Sequence, residues 1–136
     1  MSSPIYLLDT SFIIRLLTRD PLPLFERAAA FFDKWEKNMP GFVLTDLVLA
    51  EAYFALQHHY RYPKADALAA LCSLVTQPAI SVSGETLVAF SVSNLATAQP
   101  GFVDRLIHGY SQALGCTLVT FEKSTRRLPA TMVLVE

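Results

Sequence analysis

At 136 residues, 52% of them hydrophobic, the chain is long enough for one domain with its own core and needs no disulfide framework to hold it. Only 17% of residues are charged and the net charge is −1, with no run of like charge, which excludes an acidic or basic tail as the means of meeting a partner. Cys72 and Cys116 are too few for a disulfide scaffold and not at metal-ligand spacing. The longest apolar run falls well short of the roughly 18 residues of a membrane span, and Met1-Ser2-Ser3-Pro4 lacks the basic start of a signal peptide. A cytoplasmic protein without a membrane segment is the expectation.

In chain order, Ile5-Tyr6-Leu7-Leu8 predicts a short strand, and the polar triplet Asp9-Thr10-Ser11 can cap a helix starting at Phe12. Pro21 and Pro23 break that helix. Leu24, Ala28, Phe31, Phe32 and Trp35 then recur at helical spacing until Pro40-Gly41. Phe42-Val43-Leu44 is the next strand, and Thr45 or Asp46 can cap a helix through Leu47, Leu49, Ala50, Tyr53, Phe54 and Leu56 that fades near Tyr60. Pro63 suits the first turn of a helix whose apolar face is Ala67, Leu68, Leu71, Leu74 and Val75, with Pro78 as its stop. Ala79 to Val82 reads as a strand, and Gly84-Glu85 opens a helix through Leu87, Phe90, Val92 and Leu95. After Gln99-Pro100-Gly101 a helix carries Val103, Leu106, Ile107, Tyr110 and Leu114 to Gly115, a good C-terminal stop. Thr117 to Thr120 and Thr131 to Val135 are the last strands. Short strands alternating with longer helices predict an α/β fold, a three-layer α/β/α sandwich around a central, mainly parallel sheet, in a single domain over residues 1–136.

In such folds the ligand crevice lies beyond the carboxyl ends of the strands. Asp9 follows the first strand and Glu122 follows the strand ending near Thr120. Glu51, in Leu49-Ala50-Glu51-Ala52, and Asp104, in Phe102-Val103-Asp104-Arg105-Leu106, lie among apolar neighbours inside helices, where a solvated face is not expected. Charged side chains are seldom buried without a partner or a metal. Two carboxylates about 4 Å apart repel by roughly 4 kcal/mol at an effective dielectric near 20, so converging acids call for a cation or for raised pKa values. A hard divalent ion such as Mg²⁺ meets that need with oxygen ligands. Taken singly, each acid is explained as well by a cap, a turn or a salt bridge; Asp9 can simply cap its helix, and Asp104 sits near a helix start.

Taken together, the motifs resemble the PIN domain family, most closely its VapC-like branch of ribonuclease toxins, over nearly the whole chain. The opening strand and acid look like Leu7-Leu8-Asp9-Thr10-Ser11-Phe12-Ile13, and the second acid, on an apolar helix, like Leu49-Ala50-Glu51-Ala52-Tyr53. The third looks like Phe102-Val103-Asp104-Arg105-Leu106-Ile107 leading to Leu114-Gly115-Cys116. The closing pattern looks like Leu118-Val119-Thr120-Phe121-Glu122-Lys123 with Arg127-Leu128-Pro129 beyond. One position departs from the pattern: the family usually has Asp where this chain has Glu122, whose extra methylene bears on metal stoichiometry and rate.

The resemblance implies that Asp9, Glu51 and Asp104 are the main metal ligands and catalytic carboxylates, with Glu122 a fourth acting through water, and Thr10, Ser11 and Thr120 in support. Mg²⁺, or Mn²⁺, would activate a water in line with a phosphodiester and offset charge on the leaving oxygen, giving an endoribonuclease that leaves a 5′-phosphate and a 3′-hydroxyl. RNA, transfer RNA being one candidate, then needs cations at the rim: Arg105, Lys123, Arg126 and Arg127, with Arg15 and Arg19 weaker. A second copy of the chain and an antitoxin are the implied partners. A catalytically weak PIN module that binds RNA or protein, and a housekeeping RNA-processing nuclease, are the alternatives. His58-His59 lacks a third ligand, Cys72 and Cys116 read as small core residues, neither Ser11 nor Ser111 sits in a nucleophile elbow, and the aromatic set including Tyr53 and Phe54 reads mostly as core, with an apolar surplus available to a partner.

Overall fold

The structure is a computed structural model that describes residues 4–37 and 41–135. Met1, Ser2 and Ser3, and Pro40 at the expected stop of the second helix, lie outside the described residues. Contacts divide the chain into two compact units, Met1–Val82 and Ser83–Glu136. No helix among the described residues is long and apolar enough to cross a membrane.

The first unit runs β1 (Tyr6–Leu7), α1 (Thr10–Thr18), α2 (Leu22–Trp35), β2 (Phe42–Val43), α3 (Asp46–His58), α4 (Lys64–Val75) and β3 (Ile80–Ser81). Its three strands form one parallel sheet with β2 in the middle, registered Tyr6 to Phe42 to Ile80 and Leu7 to Val43 to Ser81. The pairing runs one residue past the strand ends, since Leu8 N–H donates to Val43 O at 3.0 Å and Leu44 N–H to Ser81 O at 3.1 Å. Parallel strands need a crossover between them, and the long helical connections supply it.

Helix α2 covers the sheet with aromatic rings. Phe42 is wholly buried, Phe32 stacks on it at 4.8 Å between centroids, and Tyr6, Phe31 and Trp35 complete the cluster. Burial of one such ring stabilises by about 2–3 kcal/mol. On α4 the predicted apolar face is borne out residue for residue, as Ala67, Leu68, Leu71, Leu74 and Val75 are all buried. Pro63 stands as the N-cap of α4, just ahead of its first turn.

Helix α3 differs from expectation. Its buried residues are Leu49, Ala52, Tyr53 and Leu56, one stripe at i, i+3, i+4 and i+7. At 100° per residue, Leu47, Glu51, Phe54 and His58 fall on the opposite side. Leu47 is 79% and Phe54 47% exposed, and Glu51 and His58 are exposed with them.

The second unit comprises α5 (Gly84–Phe90), α6 (Phe102–Leu114), β4 (Leu118–Thr120), a 3₁₀ turn at Lys123–Arg127 and β5 (Thr131–Val133). Ser83 caps α5 through the Thr86 amide. Helix α5 ends at Phe90, short of the expected Leu95. Ser91 turns its hydroxyl onto the Val88 carbonyl and Asn94 takes a left-handed backbone with φ of 54°, so local polar groups compete with the helical ladder. Helices α5 and α6 approach closely at Gly109, where a Cβ would stand 2.9 Å from Glu85 Cβ. Gly115, at φ of +70°, ends α6 in the left-handed conformation that the sequence predicts. Cys116 follows it out to solvent and is exposed, whereas the sequence reading has it in the core; Cys72 is half-buried.

Strands β4 and β5 pair in parallel, Leu118 to Thr131, Val119 to Met132 and Thr120 to Val133. The predicted α/β class with parallel pairing is therefore what the chain adopts, with its strands shared between a three-stranded and a two-stranded sheet.

Candidate active site

Asp9 stands where the sequence reading has it, immediately beyond β1. It is the N-cap of α1, and its Oδ1 accepts both the Phe12 amide at 3.0 Å and the Ser11 hydroxyl at 2.8 Å. The Phe12 amide first and the Ser11 hydroxyl second hold the carboxyl below its ordinary range, outweighing the small cost of burial. Asp9 is therefore ionised, oriented by one oxygen, and able to offer Oδ2 to a ligand. Ser11 donates to the carboxylate it is expected to support, and Thr10 is the half-buried first residue of α1. The register that pairs Leu7 with Val43 places Asp9 and Thr45, the N-cap of α3, at the same end of the sheet.

Glu51 is the correction. The expectation of an acid on a buried apolar stripe fails because the helix turns Leu49, Ala52 and Leu56 inward and leaves Glu51 exposed. Its apolar sequence neighbours Leu47 and Phe54 are themselves at the surface.

In the second unit, Glu122 is the N-cap of the 3₁₀ turn, with Oε1 accepting the Ser124 amide at 3.1 Å and the Ser124 hydroxyl at 2.8 Å. Those two bonds, the amide first, hold its carboxyl low, and Oε2 is left for a ligand. The Thr120 hydroxyl accepts from the Glu122 amide at 2.9 Å and so holds the backbone from which this acid projects. Asp104 lies half-buried in the first turn of α6 and shifts the opposite way. Burial raises its pKa most, and the charge of Glu122 raises it further. Two carboxylates that feel each other's charge are suited to a cation.

Two acids fall in each unit, and among the described residues no group of three or more His, Cys, Asp or Glu side chains is gathered to hold a metal ion. What fits a hard divalent ion is the donor set, all of it carboxylate and hydroxyl oxygen, and the Asp104 and Glu122 repulsion that a cation would relieve.

The cations expected at the rim divide into two groups. Lys123, Arg126 and Arg127 are exposed on the 3₁₀ turn. Arg105 is committed to the backbone, Nε donating to Pro100 O at 2.8 Å and an Nη to Gln99 O at 3.4 Å, so it closes the turn that leads into α6. In the first unit Arg19 lies over the Phe25 ring at 5.2 Å, and Arg15 donates to the Tyr60 hydroxyl at 3.0 Å. Sequence reasoning passed over Arg27, which shares a cleft of about 630 Å³ with Asp9, Ser11 and Arg15. Its signal was present, since Arg27 adjoins Ala28 in the same helical stripe as Leu24 and Phe31.

Comparison with known proteins adds three findings. VapBC2 from Rickettsia felis, whose crystal structure holds a DNA fragment from its promoter, is similar at 19% identity and a TM-score of 0.41, covering 96% of this chain and 97% of that one. No curated protein matches the chain. The family description "PIN domain" matches residues 6–130, from β1 to the residue before β5, and so the chain belongs to the PIN domain family.

Proposed function

We propose that this protein is a divalent-metal-dependent endoribonuclease, and that it serves as the toxin of a type II toxin–antitoxin pair. PIN domains are generally nucleases. The observation that carries the catalytic reading is the crowding of Asp104 by Glu122, two carboxylates whose repulsion suits them to a cation. The VapC-like assignment rests on the residue pattern around Asp9, Glu51, Asp104 and Glu122. The second copy and the antitoxin are proposed on the same resemblance. Exposed apolar side chains support such partners: Leu47 and Phe54 flank Glu51, and Ile107, Tyr110 and Leu114 line one side of α6.

On the family pattern, Asp9, Glu51, Asp104 and Glu122 are the residues that would hold Mg²⁺ or Mn²⁺. When bound, the ion supplies neutralisation of phosphate charge and a water activated toward phosphorus. The chain's own residues do the rest. The Phe12 amide and Ser11 keep Asp9 ionised and fix its direction, so that ligand exchange costs little reorientation. Ser124 and Thr120 do the same for Glu122. Asp104, whose pKa is raised by burial first and by the charge of Glu122 second, is the acid whose charge a bound cation would stabilise most. Lys123, Arg126 and Arg127, exposed on the 3₁₀ turn, would contact RNA phosphates.

The test is cleavage of total RNA by the purified chain with Mg²⁺ or Mn²⁺, compared with EDTA and with Asp104→Asn. Metal-dependent cleavage that the variant loses is the expected result. Cleavage that persists in EDTA would remove the metal, and no cleavage by well-folded protein would leave a PIN module that binds RNA or protein.

A further inference from the structure

The cleft between α1 and α2 carries two guanidinium groups that the catalytic reading does not use. Arg27 lies on the side of α2 that bears Leu24, Ala28 and Phe31, and these line the cleft together with Asp9 and Arg15 of the α1 side. Among the described residues Arg27 makes no hydrogen bond, ion pair or ring contact, while Arg15 gives one Nη to the Tyr60 hydroxyl and keeps its other donors. Neither guanidinium neutralises Asp9, whose charge is stabilised by the Phe12 amide and Ser11 instead. Arg27, exposed to solvent, and Arg15 therefore have donors available to an anion from outside.

The rest of the cleft narrows the choice of anion. Its floor is apolar, with Leu24 40% exposed and Phe31 half-buried against Phe12 at 6.0 Å between rings. A ligand that fits has a phosphate for the guanidinium groups and a flat or apolar portion for the floor, and it runs past Asp9 at one end. A single-stranded nucleic acid has all three features, since its phosphates pair with arginine forks and its bases and sugars lie on apolar and aromatic surface.

We propose that the α1–α2 cleft is a positioning subsite for the RNA strand next to the bond that is cut, with Arg27 and Arg15 holding a backbone phosphate. The proposal rests on the ribonuclease reading and adds to it the place where the strand lies. Arg27 acts here as a positioning residue, holding the strand without touching the reacting atoms.

The experiment is equilibrium binding of a fluorescein-labelled, random-sequence single-stranded RNA of about 20 nucleotides to the full chain in Ca²⁺, followed by anisotropy across a salt series. Arg27→Gln is expected to weaken binding at least about fivefold and to lower the slope of log affinity against log salt by about 0.7, the value for one phosphate contact on a single strand. Arg27→Lys should retain part of the affinity, since it keeps the charge and loses the fork. Lys64→Gln removes the same charge from α4 in the same unit, outside the cleft lining, and should stay within about twofold of the wild type. Equal losses in Arg27→Gln and Lys64→Gln would reduce the effect to net charge and overturn the subsite. Wild-type affinity in Arg27→Gln would leave the nuclease reading standing and give the cleft to another ligand, such as an acidic segment of a protein partner. If the wild type binds no RNA, the ribonuclease reading falls and the subsite with it.

Discussion

Asp9 and Glu122 follow the same local plan: one carboxylate oxygen is occupied by a backbone amide and a nearby serine hydroxyl, and the other is left open. Asp9→Asn keeps a side-chain cap, so Tm should change little while cleavage is lost; Asp9→Ala should in addition cost about 1 kcal/mol of stability, read by urea unfolding. Asp104 gives a pH signature of opposite sign. Because its folded pKa is raised, ionising it opposes folding, so the folded state loses stability as pH rises through and above the ordinary carboxylate range. Asp104→Asn should accordingly raise Tm at pH 7. That gain should vanish when the pH falls below the unfolded value of 3.8. A Tm series in which the variant gains nothing at neutral pH would refute the burial and repulsion assigned to Asp104. At this scale the chain reads well from sequence where a residue's neighbours in the chain determine its contacts. Asp9 with Ser11, and Glu122 with Thr120, are of that kind. Glu51 and Arg105 are not, since exposure on a helix and bonding to the 99–100 carbonyls depend on which way the element faces.

Among the elements, the contact of α5 with α6 is the most sensitive to a single atom group. Gly109→Ala would set a Cβ 2.9 Å from Glu85 Cβ, and both atoms are fixed to helical backbone. Better intrinsic helix propensity favours the variant by about 1 kcal/mol, and overpacking opposes it by roughly 1–3 kcal/mol. A net loss of about 1 kcal/mol in urea unfolding is expected; a stabilised variant would show that the helices separate freely. Helix α4 packs with the predicted face inward although its sequence, like that of α3, is apolar nearly all round. Helix α3 is apolar nearly all round its sequence, so periodicity does not say which side is buried, and Leu47 and Phe54 stay outside. The 3₁₀ turn at Lys123–Arg127 has no apolar period to reveal it. Its anchors are Thr125, 1% exposed, and the cap from Glu122.

For the whole molecule, a net charge of −1 means that any affinity for RNA comes from a few placed cations and not from the overall field. With about three phosphate contacts, affinity for single-stranded RNA should fall on the order of tenfold between about 50 and 200 mM salt, measurable in the same anisotropy series. A much steeper fall would mean a larger basic footprint than the described residues present. The sequence by itself determined the α/β class, the parallel pairing, the Asp9 cap, and the family pattern, because these depend on short-range order: alternation of strand and helix, polar residues after strands, and glycine at a left-handed stop. Only the tertiary structure decided that Glu51 is exposed, that Arg105 is spent on the backbone, and that Arg27 shares a cleft with Asp9. The physical reason is that the orientation of a helix about its axis is chosen by the sum of its packing contacts, and that sum includes residues far away in the chain.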